Sequence, residues 1–99
     1  MIIYVTTEVA ILPSRPLTPI EIYELAQPYA GKQVTMDVDP SMTVQQFADA
    51  CDTQMGIHPS ATVQERIIYQ DADLTLNATL AESGVTDGSS VKYKFVLSA

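Results

Sequence analysis

The side chains able to do chemistry are few and scattered. Cys51 is the one cysteine and His58 the one histidine. Held together, a thiolate and an imidazole make a nucleophile and its base. Cys51, however, falls on an apolar stripe with no histidine beside it in sequence, and a cysteine buried among apolar groups is inert. Free cysteine is among the most buried residue types, so a core role is expected. His58 offers a general base or a metal ligand, but alone it reads as a solvated turn residue. Asp71 and Asp73 flank Ala72 and offer oxygens to a cation, yet a calcium loop needs many more such ligands, so turn solvation is the reading. The sequence contains no Ser-His-Asp set, phosphate loop or metal-ligand spacing. It speaks against an enzyme, and against a cofactor, a metal or a small-molecule substrate.

Bulk properties narrow the remaining classes. The 99 residues suit one domain with one modest core. A net charge of -7, from 12 acidic and 5 basic residues, opposes nucleic-acid binding, which needs clustered Lys and Arg. It equally opposes charge-driven docking on anionic membrane. The N-terminal run Met1-Ile2-Ile3-Tyr4-Val5 has neither a basic leader nor a long apolar stretch, so a secretory signal and a membrane span are not expected. With a single cysteine no intramolecular disulfide can form, and a cytoplasmic or nuclear protein is expected. What remains is a domain that meets other proteins.

The elements that must position such a surface follow from periodicity. Residues 2–9 (IIYVTTEV) are β-branched and aromatic and predict a strand, with Ile3 and Val5 on one face and Ile2, Tyr4 and Thr6 on the other. Residues 32–39 alternate, with Val34, Met36 and Val38 opposite Gln33, Thr35 and Asp37. Residues 44–55 predict the main helix. Thr43 and Gln46 form a capping box, Val44, Phe47, Ala48, Cys51 and Met55 an apolar stripe, and Gly56 a left-handed terminus. Strands are predicted over 65–70 and 90–97, with a turn at Asp71-Ala72-Asp73 and a short helical turn over Thr79–Ser83.

Between the first two strands, residues 12–30 stand apart as an insertion punctuated by Pro13, Pro16, Pro19 and Pro28. Thr18, Pro19 and Glu21 predict a short capped helix there. Its Ile22, Leu25 and Tyr29 either pack on the body or lie open to a partner. Since a short helix is marginal alone, packing is the favoured expectation.

From Gly31 to Leu97 the chain resembles ubiquitin-like proteins nearly without gaps. The run KQVTMDVDPSMTV carries that family's strand, acidic exit and helix cap. Met55-Gly56-Ile57-His58-Pro59 is similar to its post-helix loop, and Arg66-Ile67-Ile68-Tyr69 to its third strand. Leu74, Thr79-Leu80 and Gly84-Val85 fall where the family places later core residues. The resemblance implies an α+β, ubiquitin-like β-grasp fold, 1–99 being one domain. Four to five strands would form a mixed sheet with one main helix packed on it, plus a short helix in the insert.

Alternation alone puts Arg66 and Ile68 outward on one strand and Lys92 and Lys94 outward on another. In the family these strands are neighbours and this face is its main partner-binding patch, so the resemblance makes Ile68, Arg66, Lys92 and Lys94 the expected protein-binding residues. Ile68 matches the patch's central isoleucine. A secondary surface is expected around Tyr4 and Thr35, with Ile22 and Leu25 of the insert.

The chain departs from the family in its enlarged first loop and in ending Val96-Leu97-Ser98-Ala99 without the Gly-Gly tail that conjugation needs. The expected function is therefore a non-catalytic interaction module of adaptor or scaffold type, not conjugated as it stands and monomeric. The alternatives are a modifier or sulfur-carrier precursor whose Gly-Gly lies beyond Ala99, and a domain that self-assembles through the insert or the sheet edge.

Overall fold

In the computed structural model, which describes residues 1–59 and 63–98, five strands and two helices follow the order β1 (Ile2–Leu12), α1 (Pro19–Ala26), β2 (Gln33–Asp37), α2 (Val44–Met55), β3 (Gln64–Tyr69), β4 (Ala72–Asp73) and β5 (Ser89–Ser98). The sheet order is β2-β1-β5-β3-β4. The central pair β1 and β5 is parallel, while β2, β3 and β4 join antiparallel. This is the mixed sheet of a β-grasp fold, with α2 packed on one face.

Alternation decides what is buried. Ile3 and Val5 of β1, Ile67 of β3, and Val91, Tyr93 and Phe95 of β5 turn inward and meet Val44, Phe47, Ala48 and Cys51 of α2. Leu80 and Val85, from the turns between β4 and β5, close the far end of the core. The long helix starts and stops where its sequence dictates. Thr43 accepts from the amide of Gln46, whose own side chain accepts from the Thr43 amide. Gly56, at φ 67°, adopts the left-handed conformation that ends the helix without a Cβ penalty. Loop carbonyls of Ala78 and Leu76 take two further amides of the first turn, those of Val44 and Gln45. Their partners in turn anchor the β4–β5 connection to the helix.

The structure corrects several sequence expectations. The first strand runs to Leu12, past the expected end at Val9, because β5 pairs with it along its whole length. The second strand is shorter than expected, Gln33–Asp37. The third begins and ends one residue earlier, and the last extends to Ser89 and Ser98. The turn after β3 is Gln70-Asp71, not Asp71–Asp73. Both turn residues have positive φ, 52° and 63°, the geometry that matches hairpin twist. Ala72 and Asp73 are thereby freed to pair as β4 with Tyr69 and Ile68.

The insertion also differs from the favoured expectation. The capping box of Thr18 and Glu21 is present, and Arg15 adds an ion pair to Glu21 at 2.5 Å. Yet α1 buries none of its residues. Ile22 and Leu25 stay exposed, at 44% and 37%, so the expected buried stripe reduces to Tyr29, whose ring sits 4.9 Å from Phe95. The reason is register. The turn after Pro28 brings Tyr29 to the sheet, while the helix before it rides beside β1 and not over the core.

Candidate protein-binding face

The outward face of the sheet is built by strand register. Ile68 on β3 lies directly opposite Lys92 on β5, and Arg66 opposite Lys94. On the other side of β5, Lys92 is level with Thr6 of β1 and Lys94 with Glu8. The four residues expected from sequence are thus brought together. Ile68 is half-buried, not fully exposed, and contributes to a shallow depression of about 200 Å³ that it shares with Thr6, Gln70, Asp71, Ser90 and Lys92.

Arg66 opposite Lys94 sets two like charges against each other, which is unfavourable in a sheet, and neighbouring carboxylates take up two of the three cations of this face. Arg66 reaches Asp73 at 3.5 Å and Lys92 reaches Glu8 at 3.8 Å. These pairs are exposed, so they orient the side chains more than they stabilise the fold. Among the described residues, Lys94 forms no ion pair. Sequence reasoning missed Glu8 and Asp73 as parts of this face. Glu8 shares the parity of Tyr4 and Thr6 and was legible by alternation; Asp73 was hidden by the misplaced turn.

The expected second surface divides. Tyr4 pairs directly with Thr35, and Tyr4 is level with Ser90, one row along from Thr6 and Lys92. Tyr4 and Thr35 therefore extend the same outward face. Ile22 and Leu25 do not join it: they lie on α1, at the end of the molecule where Leu25 and Tyr29 border Leu97 across a shallow groove.

On the inward face, the residues able to do chemistry are occupied in holding the fold. Cys51 is fully buried, and burial pushes its thiol up to about 12, so it is not a thiolate at neutral pH. His58 is exposed. Tyr93 is fully buried and its hydroxyl sits between Asp52 of α2, at 2.8 Å, and Glu65 of β3. One hydroxyl proton serves one carboxylate; the other contact becomes a hydrogen bond when that carboxyl is itself protonated and donates to the phenol oxygen. Burial, with the neighbouring charges of Glu65 and Asp49, raises Asp52 to about 6, while the Tyr93 hydrogen bond and His58 pull the other way. The phenol is held protonated by burial and by the same two carboxylates. No group of His, Cys, Asp and Glu among the described residues is arranged to hold a metal ion.

A family model described as ubiquitin-2 like Rad60 SUMO-like matches residues 27–92. The chain belongs to that family. The matched span holds β2, α2, β3, β4 and the start of β5 as far as Lys92, and the ubiquitin-like fold expected from the residues is thereby established. It leaves out β1, α1 and the end of β5. No curated protein matches the chain. No helix among the described residues is long and apolar enough to cross a membrane.

Proposed function

We propose that this ubiquitin-like domain is a non-catalytic protein-interaction module that presents the outward face of β1, β3 and β5 to another protein. The observation that carries the reading is the direct opposition of Ile68 to Lys92 and of Arg66 to Lys94. Three of the five basic residues of a chain of net charge -7 meet there around a half-buried isoleucine. An apolar centre rimmed by charge and flanked by Tyr4 suits an interface. With Arg66 and Lys92 held by Asp73 and Glu8, Lys94 is the cation of this face that has no ion pair among the described residues, and it suits an acidic group on the partner. The burial of Cys51, and the use of Asp52 and Glu65 to anchor Tyr93, support a role without catalysis. A free buried thiol suits the cytosol or nucleus, the compartments we assign.

The test compares wild type with Ile68→Ala and Lys92→Glu in quantitative affinity capture from extract, followed by amide-shift mapping with whatever protein is retained. The reading expects a retained protein whose recovery falls in both variants and whose shifts centre on Thr6, Ile68 and Lys92. Equal recovery by all three proteins, or shifts confined to α1, would sink it.

A further inference from the structure

The first strand outruns its neighbour. β2 covers β1 from Ile2 to Thr6, and Lys32 extends that cover to Thr7, whose amide donates to the Lys32 carbonyl at 2.9 Å. Peptide groups of a strand alternate between its two sides. Thr7 faces the β2 side, so Val9 and Ile11 do too, while Glu8, Ala10 and Leu12 bond β5. Beyond Lys32, no described residue partners the outward N–H and C=O groups of Val9 and Ile11.

Natural sheets blunt open edges with lysine, proline or a bulge. Val9-Ala10-Ile11-Leu12 carries none of these, and only Pro13 ends it. α1, which touches β1, buries none of its residues; Glu21 and Glu24 share one side of it and apolar side chains occupy the rest. Leu12, Ile20 and Tyr23 are exposed at 59%, 69% and 64%. Apolar side chains left open together suit a contact surface. The backbone groups specify an extended strand as the occupant, and the side chains specify an apolar one.

We infer that this edge pairs with the same edge of a second copy of the chain, antiparallel, about a two-fold axis at Ala10. That register sets Val9 opposite Ile11 of the other copy and satisfies all the outward groups of both residues, as an isologous contact requires. Ala10 then meets its own counterpart, and a methyl group fits the close, non-hydrogen-bonded position. Glu8 falls opposite Leu12, so no like charges face each other. The stretch Val9–Ile20 contains no acidic residue and one arginine, and of the glutamates that flank it Glu8 is paired with Lys92 and Glu21 with Arg15. The pairing is short, and burial of Leu12 and the α1 side chains supplies the remainder. This surface is separate from the outward face around Ile68, so either proposal stands if the other falls.

Sedimentation velocity from micromolar to millimolar protein, with amide exchange at both ends of the range, tests it. The expected result is a rise in mass from one chain toward two, with exchange at Val9 and Ile11 slowing as concentration rises. Ala10→Lys places a cation at the axis facing itself and is expected to abolish association. Its side chain projects from the outer face, away from the core. A strict monomer throughout overturns the inference, as does a dimer in which the Val9 and Ile11 amides are unaffected or that survives Ala10→Lys in a folded variant.

Discussion

The Tyr93 hydroxyl oxygen lies 2.8 Å from Asp52 Oδ1, joining the centre of β5 to the C-terminal half of α2. Because Glu65 approaches the same oxygen, the trio is best satisfied when one carboxyl keeps its proton. Asp52, raised to about 6 from an ordinary value of 3.8, is the group that does so. A carboxyl whose folded pKa is raised binds its proton more tightly in the native state, so stability from this group falls as pH rises through about 6 and is fully present below about 4. Glu21, Asp39 and Glu82 act oppositely: hydrogen bonds hold them low, and their contribution fades as acid protonates them below about pH 4.5. The urea midpoint is therefore expected to rise between about pH 7.5 and about pH 5, then fall in stronger acid. Asp52→Asn should flatten the first limb. A midpoint that declines steadily from neutrality, unchanged in Asp52→Asn, would contradict this assignment.

Cys51 makes a second prediction, about reactivity. With no exposure and a thiol pushed up to about 12, it should resist an aromatic disulfide reagent in the folded protein. It should react at the free-thiol rate once urea unfolds the chain. Rapid labelling of the native state would mean that α2 opens locally, or that the helix does not seat as described.

The two helices carry matching capping boxes but should respond differently to losing them. Thr43 opens α2, whose Val44, Phe47, Ala48 and Cys51 are core, so Thr43→Ala is expected to lower global stability by about 1 kcal/mol. Thr18 opens α1, which buries nothing. Thr18→Ala should fray α1 alone, seen as faster amide exchange over Ile22–Gln27 with the urea midpoint unmoved. A midpoint shift for Thr18→Ala equal to that for Thr43→Ala would show that α1 is part of the cooperative core.

Why some of this was legible in the sequence and some was not comes down to whether local pattern and global packing agree. The α2 boundaries follow from Thr43, Gln46 and Gly56, groups that act within a turn of themselves. Alternation fixed which side of each strand Ile68, Lys92 and Tyr4 occupy, since that needs only a period of two. What alternation does not carry is which strand lies next to which. Residue-by-residue neighbours come from the pairings themselves: Ile68 with Lys92 from the antiparallel β3–β5 pair, and Glu8 with Lys94 from the parallel β1–β5 pair. The length of β1 was hidden for the same reason: Ala10–Leu12 is extended because β5 lies beside it. The Gln70-Asp71 turn was missed because neither residue is the glycine or asparagine that positive φ favours. Tyr29 and Ile22 looked alike in sequence and parted only where Phe95 was available to one of them.

Ile67 and Ile68 are neighbours on β3 that point to opposite faces, and they separate folding from binding. Ile67 is 1% exposed and packs in the core cluster, so Ile67→Ala should cost about 2–5 kcal/mol through lost contacts and a residual cavity. Whatever fraction remains folded should still bind, because the outward face is untouched. Ile68 is half-buried in a shallow depression open to solvent. Ile68→Ala removes less apolar area from cover and should cost about 1 kcal/mol or less. Its effect should instead appear in binding, as faster dissociation of any protein that the wild type retains. Urea titration and binding kinetics on the two variants make the comparison. Should Ile68→Ala unfold the domain as readily as Ile67→Ala, its side chain would belong to the core, and the assignment of the outward face would lose its apolar centre.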